Sequence, residues 1–247
     1  PTPAPTNTPG GSLTIADVQG MGPASPYDGQ VVTVSGICYA MQDGRRYAFI
    51  ADAAGAWNGI LMYENAGWTG FTIGDELEVT ATVDEYYDMT ELTSCTVNVL
   101  SSGNTPYAPT LLTTSAANDE QYEGTYVRFE NVTVTDPDLG SGEWEIDDGS
   151  GPMIVNDAFI YTYVPVLNDT FDWIQGGLNF SWSNYKVEVC GDTEYQINSG
   201  GPTPTPAPTE TPIPATPVSI YDIQYTTDPS GDSPHLGDLV EFTGVIT

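Results

Sequence analysis

The chain carries very little positive charge. Its 247 residues include four basic ones, Arg45, Arg46, Arg128 and Lys186, against 34 acidic ones, for a net charge of −30. A surface of that sign repels phosphates within a Debye length, so nucleic acid is not expected as a partner. There is a single histidine, His235, in a Gly/Ser/Pro-rich stretch with no serine or cysteine nucleophile paired to a histidine in the same unit. A catalytic triad is therefore excluded, and the chain reads as a protein that is not an enzyme. No apolar run reaches the about 18 residues that a membrane-spanning helix needs, so no membrane span is expected, and the first residues do not read as a signal peptide. Scarce lysine and a mature-looking start agree with export, which places the protein outside the cell or on its surface.

What is present is a repeated strand. Residues 29–36 read GQVVTVSG, residues 237–244 read GDLVEFTG, and a looser copy, GTYVRF, starts at Gly124. In each copy the branched or aromatic residues at even spacing (Val32 and Val34; Val127 and Phe129; Val240 and Phe242) share one face, because strand side chains alternate. The copies lie 95 and then 113 residues apart, so the repeat is domain-sized, and the third copy is followed by one strand only. Strands are expected at 30–40, 45–51, 58–63, 75–86 and 93–100. The second set is expected at 126–135, 142–147, 152–156, 184–189 and 193–198, with an irregular span through Trp173 and no convincing helix. Five strands per unit suit a small closed barrel of the OB type better than a sandwich. The expected fold is all-β: two tandem five-stranded OB-like barrels plus the first strand of a third.

The boundaries follow from composition. Residues 1–11 and 201–217 alternate proline with threonine, which removes backbone donors and holds an extended, semi-rigid spacer. Thr203, Thr205, Thr209 and Thr211 are candidate O-glycan carriers in the second spacer. Barrel 1 takes 12–103, barrel 2 takes 104–200, and 218–247 is a partial third unit or a donor strand segment. The junction at 101–109 is too short to swing freely, so the pair is expected to be rigid.

Several residues resemble a known family. Residues 14–20 (TIADVQG) with Ser25-Pro26, the strand at 74–83 and the turn at 84–92 (DEYYDMTEL) are similar to the tandem OB-like modules ahead of the catalytic domain in secreted bacterial nucleases of the endonuclease/exonuclease/phosphatase type. Residues 121–127, Asn184-Tyr185-Lys186 and the 220–224 stretch extend the likeness. Where that family has glycine after its tyrosine pair this chain has Asp88, a residue that tolerates left-handed backbone. The resemblance implies a non-catalytic module of an exported multidomain protein, with any catalytic domain lying beyond Thr247.

Candidate sites are few. Asp147 and Asp148 sit in an Asp-Asp-Gly turn, which is either an ordinary hairpin turn or a calcium site; no other cofactor is implied. Trp57, Trp68, Tyr86 and Tyr87 are either barrel core or a platform on which glycans stack. Cys38 ends the first strand and Cys95 opens the fifth, positions that a closed barrel brings near each other, so they are the expected disulfide and Cys190 is left over. A lone third-unit strand carrying Leu239, Val240, Phe242 and Val245 has neither backbone partners nor a core. Head-to-tail polymerisation with other copies, through that strand, is the simplest way to hold it. Three functions follow: a structural repeat of an extracellular stalk or filament, an accessory region of a secreted nuclease, or a carbohydrate-binding module.

Overall fold

The structure, a computed structural model, describes residues 13–198 together with 216–217 and 240–241. Residues 13–19, expected to be non-helical, contain a short helix, α1 (Ile15–Gln19), whose capping box joins Thr14 to Asp17 and whose last turn is closed by Gly20 in the left-handed region. Five residues give too few periods for an amphipathic pattern to show. Its burial of Ile15 and Val18 closes one end of the first barrel core.

That barrel is built from β1 (Val31–Met41), β2 (Tyr47–Ala51), β3 (Gly59–Tyr63), β4 (Glu76–Tyr86) and β5 (Met89–Ser101). They close in the order β1-β2-β3-β5-β4, with β4 returning to β1 along residues 31–37, which is the OB order. The predicted inward face is observed: Val32 and Val34 are buried, with Val79, Ala81 and Val83 across the ladder. The fifth strand starts four residues earlier than expected, because Met89-Thr90-Glu91-Leu92 continues the ladder directly after a two-residue turn.

The second sheet contains β6 (Thr110–Leu111), β7 (Tyr126–Gly140), β8 (Glu143–Asp147), β9 (Pro152–Asn156), β10 (Thr170–Ser181), β11 (Asn184–Glu188) and β12 (Tyr195–Ile197). β7, β8, β9, β11 and β10 are neighbours in that order, and β10 pairs back to β7. The expectation of an irregular span before residue 184 is corrected here: 170–181 is a 12-residue strand, and 195–197 is an extra edge beside it. Gly176 and Gly177 interrupt its pattern for a steric reason. A Cβ on Gly176 would stand 2.3 Å from the Glu188 carbonyl oxygen, and one on Gly177 would stand 3.0 Å from the Phe49 ring.

Phe49 belongs to the first barrel, and its contact with Gly177 marks a third apolar cluster. Tyr39, Phe49, Leu61 and Met89 pack there with Phe159 and Cys190, and Tyr126 and Phe180 flank them. The unbroken apolar runs of β2 and β3 are thereby explained. Ala48, Ile50, Ile60 and Met62 face the barrel core, while Phe49, Ala51 and Leu61 face the second sheet. Residues 13–198 form one body, and the described residues 216–217 and 240–241 belong to a separate unit.

The Cys38–Cys95 disulfide is not formed; all three cysteines are free thiols. Cys38 points into the first core with Sγ 3.9 Å from the Ala40 oxygen, while Cys95 lies where the β4–β5 register shifts and turns its Sγ to the Leu92 oxygen at 3.4 Å. Cys190 follows β11, and its thiol meets the Met41 oxygen at 3.2 Å, across the shared cluster. Burial raises the Cys38 thiol well above its ordinary range and pushes Cys95 and Cys190 up to about 12. Native protein at pH 8 is expected to react with a thiol reagent several-fold slower than unfolded protein, and reductant is expected to leave its melting temperature unchanged. A melting point that drops on reduction would show that the disulfide exists in solution.

In the separate unit, β13 (Thr216–Pro217) pairs in parallel with β14 (Val240–Glu241). The described part of the expected exchange strand is thus engaged within its own chain. Leu239, Phe242, Val245, Thr203, Thr205, Thr209 and Thr211 lie outside the described residues. Among the described residues, no helix is long and apolar enough to cross a membrane.

Candidate functional site

Two hairpins have the same unusual turn. The β4–β5 hairpin closes through Tyr87-Asp88 (φ 52° and 68°), and the β10–β11 hairpin through Trp182-Ser183 (φ 53° and 64°). Two-residue turns with both φ positive match the strand twist but favour Asn and Gly; bulkier residues there cost about 1 kcal/mol or more each. Here each turn begins with an aromatic residue. Trp182 is 88% exposed, Tyr87 76% and Tyr86 57%, and the two tyrosine rings meet edge to face at 4.7 Å. Strained backbone that presents exposed rings is a feature of binding sites rather than of folding.

Both hairpins border one open cleft of about 1280 Å³ between the first barrel and the second sheet. The β1–β2 loop contributes Arg45 and Arg46, and the floor holds Tyr47, Glu91, Asn156 and Asn179. Lys186 is ion-paired with Glu143 on one wall. Asn156 and Asn179 donate at 2.9 and 2.8 Å to Oε1 of the fully buried Glu188 beneath them. Glu188 Oε2 has no partner, and burial, only partly offset by these two amides, lifts this carboxyl to about 7. Burial, then the Asp84 carboxylate opposite it in the ladder, also lifts Glu91 to about 7. Burial, then Glu188 and Glu91, raises the Tyr47 hydroxyl to about 12. The floor thus combines a neutral tyrosine and two amides with carboxyls that are about half ionised at neutral pH, and aromatic faces rim it.

Of the predicted platform, the structure brings only Tyr86 and Tyr87 to this cleft. Trp68 is buried against Phe71 in the first core, with its indole N–H on the Met62 oxygen at 3.1 Å. Trp57 lies in the β2–β3 loop, where its backbone N–H reaches the Gln121 oxygen at 2.7 Å, on the segment that leads into β7. Asp147 and Asp148 behave as turn residues. Asp147 Oδ1 accepts from the backbone of Gly149 and Gly151, and Asp148 accepts from Ser150 and Thr114. Among the described residues, no group of three metal-ligating side chains gathers. Sequence reading missed Trp182, Tyr47, Glu91 and the two asparagines. Trp182 was findable: its Trp-Ser pair stands where Tyr87-Asp88 stands in the first barrel, but only once 170–181 is recognised as a strand.

No protein-family model and no curated protein matches the sequence. Among solved structures, the chain is similar to the HINa domain of Ifi202 in complex with a 20-base-pair double-stranded DNA, at 12% identity over 68% of this chain and 97% of that one, TM-score 0.32. It is similar also to a murine DNA-binding protein bound to double-stranded DNA (16% identity, 69% and 98% covered, TM-score 0.32). A third is the p204 HINb domain (8% identity, 66% and 95% covered, TM-score 0.32). The exclusion of nucleic acid drawn from net charge is corrected by these neighbours, two of which are solved on DNA, and it is withdrawn. The OB-like fold stands, while the nuclease part of the resemblance has no counterpart among them.

Proposed function

We propose that residues 13–198 are a non-catalytic, glycan-binding segment of an exported surface stalk or filament, made of two tandem OB-like barrels. The observation that carries this reading is the cleft, where Trp182, Tyr86 and Tyr87 stand exposed around Tyr47, Asn156 and Asn179. Sugar rings stack their C–H faces on aromatics, and their hydroxyls take up the donors and acceptors of such a floor. The matching strand order of the two sheets and their common apolar cluster support the rigid spacer role. Head-to-tail assembly through 239–245 would require the ladder between 216–217 and 240–241 to open, and deletion of 218–247 would then abolish polymers seen by electron microscopy. A spacer ahead of a catalytic domain, the role implied by the nuclease resemblance, is distinguished by whether a longer gene product carries that domain.

The reading is tested by titrating soluble polysaccharides against Trp182→Gly and Tyr87→Gly. Each is expected to weaken binding at least about tenfold while the melting temperature holds or rises, because glycine relieves the positive φ. Trp68→Ala is the contrast: it empties a core site and is expected to cost about 3–5 kcal/mol. Binding unchanged in both glycine variants would reject the cleft as a glycan site.

A further inference from the structure

Three of the chain's four basic residues border one cleft, in a molecule of net charge −30. Lys186 is spoken for, being 2% exposed and paired with Glu143. Arg128, outside the cleft, lies 4.0 Å from the centre of the Trp173 ring and 4.0 Å from Glu130. Arg45 and Arg46 are different. They are adjacent on the β1–β2 loop, neither makes an ion pair within 4.0 Å among the described residues, and Arg46 is exposed. With acidic groups in such excess, a guanidinium pair without a carboxylate partner is the uncommon outcome. A planar fork of donors that the protein leaves open suits a ligand carboxylate.

The rest of the cleft has the opposite sign. Glu64, Asp84, Asp88 and Glu91 also line it, and the exposed rings stand with Asp84 and Asp88 on the β4–β5 hairpin or across the cleft on the β10–β11 hairpin. The cleft is therefore divided into a cationic lip on the β1–β2 loop and an aromatic stretch mixed with carboxylates. A polymer with a charge on every unit would satisfy the lip and be repelled along the remainder. A polymer that alternates charged and neutral units would match both parts.

We infer that the ligand is a heteropolysaccharide in which uronic acid residues alternate with neutral sugars, the uronate carboxylate sitting on Arg45 and Arg46 and the neutral rings on Trp182, Tyr86 and Tyr87. The inference rests on the glycan reading above and names its substrate class. It is tested by calorimetry on the full chain with four probes: hyaluronan oligosaccharides, polygalacturonate oligosaccharides, neutral xylo-oligosaccharides and a single-stranded DNA of matched length. Hyaluronan is expected to bind tightest, to lose at least tenfold affinity in the Arg45→Ala/Arg46→Ala double variant, and to weaken as salt rises. The Arg45→Lys/Arg46→Lys variant is expected to recover only part, because ammonium lacks the fork, and equal melting temperatures would show that all variants fold. Xylo-oligosaccharides binding as tightly as hyaluronan, with no effect of the double variant, would overturn the inference and leave the glycan reading standing. Polygalacturonate or DNA binding tightest in an arginine-dependent way would overturn the alternating-charge argument. Failure of every sugar to bind would remove both readings.

Discussion

Gly59→Val is expected to break the first barrel and the second sheet apart. A Cβ on Gly59 would stand 2.1 Å from the Gly124 carbonyl oxygen and 2.7 Å from the Thr125 Cα, and a Cβ on Gly124, whose φ is +66°, would stand 2.8 Å from both the Gly59 oxygen and the Ile60 Cα. All of these are backbone atoms, so no side-chain rotation relieves the clash. Around this contact the first barrel and the second sheet are stitched by the Tyr39 hydroxyl on the Gly124 oxygen at 2.6 Å and by Gln19 Nε2 on the Glu123 oxygen at 3.4 Å. Farther along, Gln42 exchanges two amide bonds with Ile160, at 2.7 and 2.8 Å. Valine would force the sheets apart, losing these bonds and the burial of Phe49, Leu61 and Phe159. The expected cost is about 3 kcal/mol or more, read as a lower denaturation midpoint, with X-ray scattering showing a larger, more variable molecule. An unchanged midpoint and radius would mean that the first barrel and the second sheet do not pack as described.

The second large effect is on pH. Glu123 is 1% exposed at the same junction, with Oε1 taking the Thr90 N–H at 2.7 Å and Oε2 without a partner. Burial, then the neighbouring Glu120 carboxylate, lifts it from the ordinary 4.5 to about 9. The folded value lies above the unfolded one, so folding favours the neutral acid. Its contribution is complete below about 4.5 and is lost as pH rises toward 9, by up to about 1.4 kcal/mol per unit. Glu91 and Glu188, each near 7, add to the loss between 4.5 and 7. The melting temperature is expected to fall steadily from pH 5 to pH 9, and Glu123→Gln, which keeps an acceptor for Thr90, is expected to raise stability at pH 8 by about 2 kcal/mol or more and to flatten the profile above pH 7. A variant curve parallel to wild type would place the pH dependence elsewhere.

The all-β class, the positions of most strands and the inward faces at Val32, Val34, Val127 and Phe129 were legible in the sequence, because alternation and turn residues are local properties. Asp88 in left-handed backbone was also readable, from its place after a tyrosine pair. Residues 170–181 were not, because their glycines answer to Phe49 and the Glu188 carbonyl, which are far away in the chain. Nor was the state of the cysteines: Cys38 points into the first core and Cys95 sits where the β4–β5 register shifts, and neither direction shows in the spacing of strands.

The cleft depends on tertiary structure throughout. Tyr86 and Tyr87 drew attention as aromatics, but nothing local separates them from Trp68, which is core, or links them to Trp182, almost a hundred residues on. What joins them is the packing of β2 and β3 against the second sheet, a consequence of runs that are apolar on both faces. Composition and alternation alone specify a strand-built, strongly acidic chain with four cations. Only the folded molecule decided that three of those cations, and the strained aromatic turns of both hairpins, border the same space, because pairing across sheets depends on shape complementarity between distant segments and not on the periodicity of any one of them.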